Sequence, residues 1–239
     1  MFAGPNGSGK STIKSVINKE LLGVYINPDD ILVGIKASGY LDLLEYNVQA
    51  TEEEIIDFFS HSTLLEREGL CHLACQLTLD GSKLNFVREA MNDYFTSVVS
   101  DFLRQKLLVQ KISFTFETVM SSVDKVHLLQ KARDLGYRTY LYYVATSDPE
   151  INISRVQSRV KSGGHDVPRD KIINRYYRSL GLLNQAIVFS NRAYIFDNST
   201  QGRLWLAEVT DGEHLEFKTD KIPAWFQRYV LGTGAGNPL

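Results

Sequence analysis

Gly4-Pro5-Asn6-Gly7-Ser8-Gly9-Lys10-Ser11, with Thr12 following, decides how this chain is read. The stretch fits G-x-x-x-x-G-K-[ST], the spacing of a phosphate-binding loop. Its glycines let successive backbone N–H groups curl around a triphosphate, and the start of the next helix adds a favourable dipole. Lys10 is expected to reach the β- and γ-phosphates and the Ser11 hydroxyl to ligate Mg2+, so ATP with Mg2+ is the implied ligand pair. The bland alternative is an ordinary glycine turn before an amphipathic helix, and the complete motif argues against it. Such a loop should follow a buried strand of about five residues, whereas Met1-Phe2-Ala3 are all that precede Gly4. The expectation is a first strand that is truncated or begins upstream.

Outward from the loop, apolar spacing predicts a helix over Ser11–Glu20 and a short strand over Val24–Asn27, stopped by Pro28. Residues 41–110 read as almost entirely helical. Thr51-Glu52-Glu53-Glu54 forms a capping box, Asp80-Gly81-Ser82 punctuates, and a long helix runs from near Leu84 to Leu107. Ile112–Glu117 alternates as a strand, and Ser121 or Ser122 caps a helix that runs through Leu135 and closes at Gly136. Thr139–Val144 is a β run, Asp148-Pro149 opens a helix, Gly163-Gly164 breaks it, and another helix follows Pro168. Tyr194-Ile195-Phe196 is a strand ending in Asp197-Asn198-Ser199, and Asp211-Gly212 turns a hairpin between Leu204–Val209 and His214–Phe217. The tail from Gly232 reads as loose. Strands alternating with helices predict an α/β fold. It is expected to be a P-loop NTPase of the nucleoside-kinase-like kind, a three-layer αβα core with a mainly parallel sheet. Residues 1–35 and 111–200 would form that core, 36–110 a large helical insertion, and 201–239 a C-terminal β-hairpin with a short helix and tail.

Composition narrows the class. Across 239 residues, 44% are hydrophobic and 23% charged, which excludes wholesale disorder and collagen-like chains. No apolar run reaches the roughly 18 residues of a membrane span, and no signal-peptide pattern precedes the loop, so the cytosol is the expected compartment. Two cysteines exclude a disulfide scaffold. Cys71 and Cys75, with His72 and His61 nearby, would need further spacing and ligands to hold a metal; buried reduced cysteines are the expectation. The net charge of -2 hides an asymmetry. Acids dominate from Asp42 to Asp101, whereas Arg155, Arg159, Lys161, Arg169, Lys171, Arg175 and Arg178 face only Asp166 and Asp170. A local basic stretch points to an anionic ligand met there, rather than to nucleic acid spread over the fold.

No guanine-reading N-K-x-D appears at a strand end, and there is no L-S-G-G-Q-like signature, which removes GTPases and ABC-type ATPases. What remains is a phosphate loop, an acidic pair after the second strand and a glycine-hinged arginine-rich segment. That is the layout of a small-molecule kinase, in which an acid receives the acceptor's proton and mobile arginines cover the transferring phosphate. Arg155 and Arg159 lie one helical turn apart and are the leading lid cations, with Arg169, Arg175 and Arg178 behind them. Glu117 ends a strand at the carboxyl edge, where α/β sheets bind ligands. His165 reads as a loop hydrogen-bonder, and Asp30 as the residue that starts the helix at Ile31.

The chain resembles the zeta toxin family of kinases. The resemblance is carried by Gly4–Thr12, Asn27-Pro28-Asp29-Asp30-Ile31, Ser113–Thr118, Arg155–Val160, Gly163–Pro168, Arg175-Tyr176-Tyr177-Arg178 and Phe196-Asp197-Asn198-Ser199. It is closest to the stand-alone bacterial branch and covers residues 1–35 and 111–200. Characterised zeta toxins phosphorylate the sugar of UDP-N-acetylglucosamine and are held by a small antitoxin. The resemblance therefore implies ATP-dependent kinase activity on a hydroxyl of a small molecule, with a UDP-sugar as one acceptor and an antitoxin as a protein partner. It implies Asp29 as the acid that activates the acceptor, Glu117 and Thr118 on the acceptor side, and Asn198 on the adenine side of bound ATP. Two other readings stand beside it: a nucleotide-binding module acting through a protein partner, and a polynucleotide-kinase-like enzyme.

Overall fold

The computed structural model describes residues 1–232 apart from Val16, 88–90 and His165, so the expectations for His165 and for the tail beyond Gly232 lie outside the described residues. Two compact units divide the chain, one made of Met1–Asn18 with Glu117–Leu239 and the other of Lys19–Phe116.

The first unit opens with β1 (Phe2–Ala3), the phosphate loop and α1 (Lys10–Lys14). β1 is two residues long, yet it is buried and paired on both sides. The Met1 carbonyl extends its ladder by accepting from Tyr142 N at 2.9 Å. α1 stops well short of the expected Glu20. The Ser15 hydroxyl turns back to the Thr12 carbonyl at 2.8 Å, offering the backbone a competing partner where the next turn would form.

The second unit carries β2 (Val24–Ile26), α2 (Pro28–Ser38), β3 (Tyr40–Asp42), α3 (Glu52–Ser60) and α4 (Thr63–Arg67). β4 (Thr78–Asp80), β5 (Lys83–Asn85) and α5 (Asp93–Val109) follow, and then the first residues of β6 (Phe114–Thr118), which pair in parallel with β2. This segment is not the almost entirely helical one expected. β3, β5 and β4 form an antiparallel sheet in that order. Asp80-Gly81-Ser82 is the turn of a hairpin, with Gly81 at φ 60, and Leu41 and Leu84 point into the core. The long helix accordingly begins at Asp93, where the Asn92 side chain accepts from the backbone N–H groups of Tyr94 and Phe95. The capping box at Thr51 and Glu54 forms as read, with both reciprocal bonds present. Cys71 is half-buried and Cys75 exposed, which corrects the expectation of buried thiols. No group of three or more His, Cys, Asp or Glu suited to a metal occurs among the described residues.

The rest of the first unit holds α6 (Asp124–Asp134), β7 (Tyr140–Ala145), α7 (Pro149–Lys161), α8 (Arg169–Val188) and β8 (Arg192–Thr200). It ends with β9 (Gly202–Thr210), β10 (His214–Phe217) and the short α9 (Ala224–Phe226). Within this unit the strand order is β10-β9-β8-β7-β1-β6. The β6, β1, β7 and β8 neighbours pair in parallel, and β9 and β10 add an antiparallel edge. This is the mostly parallel α/β arrangement expected, with the hairpin where Asp211-Gly212 announced it. α6 departs from expectation at its start: Val123, not Ser121 or Ser122, occupies the N-cap, with no side-chain bond. At its end Gly136 takes φ 86, and Tyr137 N reaches back to the Ala132 carbonyl at 3.0 Å. α8 packs on β7 and against α6 and α7. Under it Tyr143 meets Ser179 at 3.0 Å, and Tyr176 donates to the Thr146 carbonyl at 2.6 Å. Among the described residues no helix is long and apolar enough to cross a membrane.

Candidate functional site

Three glycines of the loop sit where any side chain would collide. Gly4, at φ 141, presses on β7: a Cβ there would stand 2.0 Å from the Val144 carbonyl oxygen. Gly7, at φ 71, presses on α7, with a Cβ 2.6 Å from the Asn152 carbonyl oxygen. Gly9, at φ 98, would meet the Asn198 amide at 2.4 Å. The loop is thus held between β7, α7 and the end of β8, and its glycines are required by close approach as well as by backbone conformation.

Polar braces fix it further. The Lys10 ammonium donates to the Gly4 and Pro5 carbonyls at 2.8 and 3.0 Å, drawing the two arms of the loop together. Asn198 Nδ2 donates to the Ser8 carbonyl at 2.7 Å, so its donor holds the loop itself. Asn152, fully buried at the start of α7, donates Nδ2 to the Asn6 carbonyl at 2.5 Å and takes a hydrogen bond from the Thr146 hydroxyl on its own oxygen.

Against this order stand side-chain atoms with no hydrogen-bond partner among the described residues. Ser8 Oγ and Asn6 Oδ1 in the loop, and Nη1 of the half-buried Arg155 on α7, are buried and unsatisfied. Buried polar groups are nearly always paired, and ones that are not call for an explanation. Two of these, a hydroxyl and a guanidinium N–H, are donors of the kind that phosphate oxygens accept from. The donor set therefore fits a polyphosphate. Ser11 Oγ donates to Glu117 Oε2 at 3.2 Å, bringing together two oxygen ligands of the kind Mg2+ takes directly or through water.

The remaining sequence-predicted residues are distributed as follows. Thr12 donates its hydroxyl to the Gly9 carbonyl at 2.6 Å. Thr118 accepts from Met120 N at 2.9 Å, bracing the turn after β6, where buried Met120 takes φ 53. Arg159 is exposed, and its stem packs where a Cβ on Gly164 would stand 2.6 Å from its Cγ. Arg169 forms a two-pronged ion pair with Glu150, which raises the guanidinium pKa through the hydrogen bonds and then the charge of that carboxylate. Asp29 and Asp30 belong to the other unit, both exposed in the first turn of α2. That helix starts at Pro28 with Asn27 as its cap, accepting from Asp29 N at 3.2 Å, so Asp30 does not start a helix at Ile31 as expected. Asn152, Thr146 and Arg203 were not legible as site residues. The loop partners of Asn152 and Arg203 lie far away in the chain, Thr146 acts only through Asn152, and a buried Asn on an apolar helix face carries no local signal.

Comparison with known proteins agrees with this geometry. The zeta toxin family model matches residues 89–210, just over half of the chain. An uncharacterized protein of Haemophilus influenzae is 26% identical over 175 residues, which cover 73% of this chain and 89% of that protein. Among solved structures, that of AvrRxo1-ORF1:-ORF2 with ATP is similar at a TM-score of 0.52 and 16% identity. The structure of AvrRxo1-ORF1:AvrRxo1-ORF2 with sulphate ions is similar at 0.52 and 15%. Each match covers 91% of this chain and 60% of the other, so the chain spans about three-fifths of the length of those structures, and the likeness is one of fold.

Proposed function

The chain belongs to the zeta toxin family, and on that premise we propose that it is an ATP-dependent phosphotransferase acting in the cytoplasm. It would move the γ-phosphoryl group of ATP to a hydroxyl of a small molecule, a UDP-sugar being the first acceptor to try. The observation that best supports this reading is the loop, where a buried, unpartnered Ser8 hydroxyl lies within a glycine cradle that excludes side chains. Lys10 would exchange its bonds to the Gly4 and Pro5 carbonyls for the β- and γ-phosphates. Ser11 and Glu117 would hold Mg2+, which when bound would neutralise phosphate charge. In the transfer, the acceptor oxygen bonds to the γ-phosphorus while the bridge to the β-phosphate breaks, and ADP leaves with the bridging oxygen. Asp29 is proposed to take the acceptor's proton. Arg155 and Arg159 are proposed to meet the charge on the moving group, and Glu117 with Thr118 to face the acceptor. Asn198 is proposed to border the adenine side while it braces Ser8. A protein partner of antitoxin kind belongs to the same proposal, supported by similar solved structures that each pair an ORF1 with an ORF2.

The test is incubation with ATP, Mg2+ and a metabolite extract, scored for species that gain one phosphoryl mass. A phosphorylated small molecule is the expected result. ATP hydrolysis without any such product would replace the kinase by a nucleotide-binding module acting through its partner, and a 5′-phosphorylated oligonucleotide by a polynucleotide kinase.

A further inference from the structure

Beside Lys10, the phosphate loop and its helix meet a second cation that neither the motif nor the arginine-rich segment supplies. β8 and β9 meet in an irregular hairpin whose register slips between Asp197 and Thr200, and irregularities of this kind re-aim side chains. From one arm Asn198 reaches Ser8. From the other, Arg203 donates Nη1 to the Thr12 hydroxyl at 3.3 Å, and that hydroxyl in turn donates to the Gly9 carbonyl. Thr12 is the one partner Arg203 has among the described residues, so no carboxylate neutralises the half-buried guanidinium. Within the same loop the wholly buried Ser8 hydroxyl, without a hydrogen-bond partner among the described residues, stands 3.0 Å from the place a Cβ on Gly4 would take.

A loop of this spacing presents its Lys to the β- and γ-phosphates and its backbone amides to the α- and β-phosphates. Thr12 lies two residues beyond Lys10, further along α1. Resting on the kinase reading above, we propose that Arg203 binds the α-phosphate of the nucleotide. A planar guanidinium fork suits two phosphate oxygens. Because ATP and ADP share the α-phosphate, Arg203 serves to hold the nucleotide before and after transfer, unlike a lid arginine that meets the moving group.

The test is calorimetric titration of the full chain with ATP and with ADP, for wild type, Arg203→Gln and Arg203→Lys, at two ionic strengths. Arg203→Gln keeps a donor for the Thr12 hydroxyl but removes the charge. It should weaken ATP and ADP by the same factor, about tenfold or more for a charge-assisted contact, and flatten the salt dependence of both affinities. Arg203→Lys should recover part of the loss. Unchanged affinities in Arg203→Gln, or a loss confined to ATP, would overturn the assignment and leave the kinase reading standing. A loss with the salt dependence of wild type would reduce Arg203 to a strut for Thr12. A wild-type chain that binds neither nucleotide would overturn the kinase reading and the assignment together.

Discussion

Glu117 lies within β6 and Asp29 in the first turn of α2, and different work is proposed for the two acids. Glu117 shares a hydrogen bond of 3.2 Å with Ser11, and Ser11 is the loop residue whose type is fixed by metal ligation. Glu117→Gln keeps the acceptor for that hydroxyl and deletes the charge. The expected outcome is an unchanged melting temperature and a Mg2+ requirement raised roughly 10–100-fold, the usual cost of altering a metal's supporting shell. Turnover measured across a Mg2+ series checks it, and an unshifted midpoint would make Glu117 a solvated strand end. Asp29 and Asp30 offer a cleaner comparison. Both are exposed in the first turn of α2, where either carboxylate complements the helix dipole by about 0.3–1 kcal/mol. Asp29→Asn and Asp30→Asn should therefore cost stability alike, and activity alone can separate them. Asp29→Asn is expected to lose about 10²–10⁴-fold in phosphotransfer with ATP binding kept, the range of general-base catalysis. The reverse pattern in rate assays, with Asp30→Asn inactive, would transfer the role to Asp30.

Where one element steadies another, short-range sequence signals give out. Helix signals that act over three or four residues were readable: the Thr51–Glu54 box, Pro149 at the first position of α7, and the Gly136 stop. The antiparallel β3-β5-β4 sheet was not, because strands of three residues contain too little alternation to outvote a helical background. The phosphate loop was readable as a motif, but its braces were not, since Asn152 and Arg203 lie 146 and 191 positions from the residues they hold. The α7 brace yields a prediction at this scale. Asn152→Ala leaves the Asn6 carbonyl without its donor and the Thr146 hydroxyl with only its longer bond, 3.3 Å, to the Asp148 carbonyl. A loss of about 1–3 kcal/mol is expected, together with weaker ATP binding because the loop's outer wall loosens. Gly7→Ala approaches the same contact from the other side, forcing a Cβ to 2.6 Å from the Asn152 carbonyl oxygen at a positive φ. It should likewise reduce ATP affinity. Chemical denaturation with ATP titration of each variant tests the pair, and native affinity in both would mean that α7 merely lies alongside the loop.

Across the whole chain, the parallel sheet could be anticipated from strands alternating with helices, whereas the choice of tyrosine to fill it sets a property that no motif announces. Of the twelve tyrosines, Tyr142, Tyr143 and Tyr176 are held between the sheet and α8 or along the sheet face, and burial dominates all three phenols. Burial pushes Tyr142 up to about 12, with the neighbouring Tyr194 and Tyr140 adding to it. Tyr143 and Tyr176 are raised further, also by burial first, although the Ser179 hydrogen bond pulls Tyr143 partly back. An acid whose folded pKa lies above its unfolded value favours the folded state while both states are neutral. Once pH passes the unfolded tyrosine value of about 10, the unfolded chain releases these protons first, so stability falls as pH rises. Each such phenol contributes up to about 1.4 kcal/mol per pH unit, and three together about 4 kcal/mol per unit once all are engaged. The chain should therefore hold its stability up to about pH 10 and then lose it steeply. The buried tyrosinate absorbance should appear in the same narrow interval in which far-ultraviolet circular dichroism is lost, and Tyr143→Phe should flatten the decline by about one phenol's share. If all twelve tyrosines ionise near pH 10 with the circular dichroism intact, water reaches the sheet, and the packing of Tyr143 on Ser179 is not what keeps it dry.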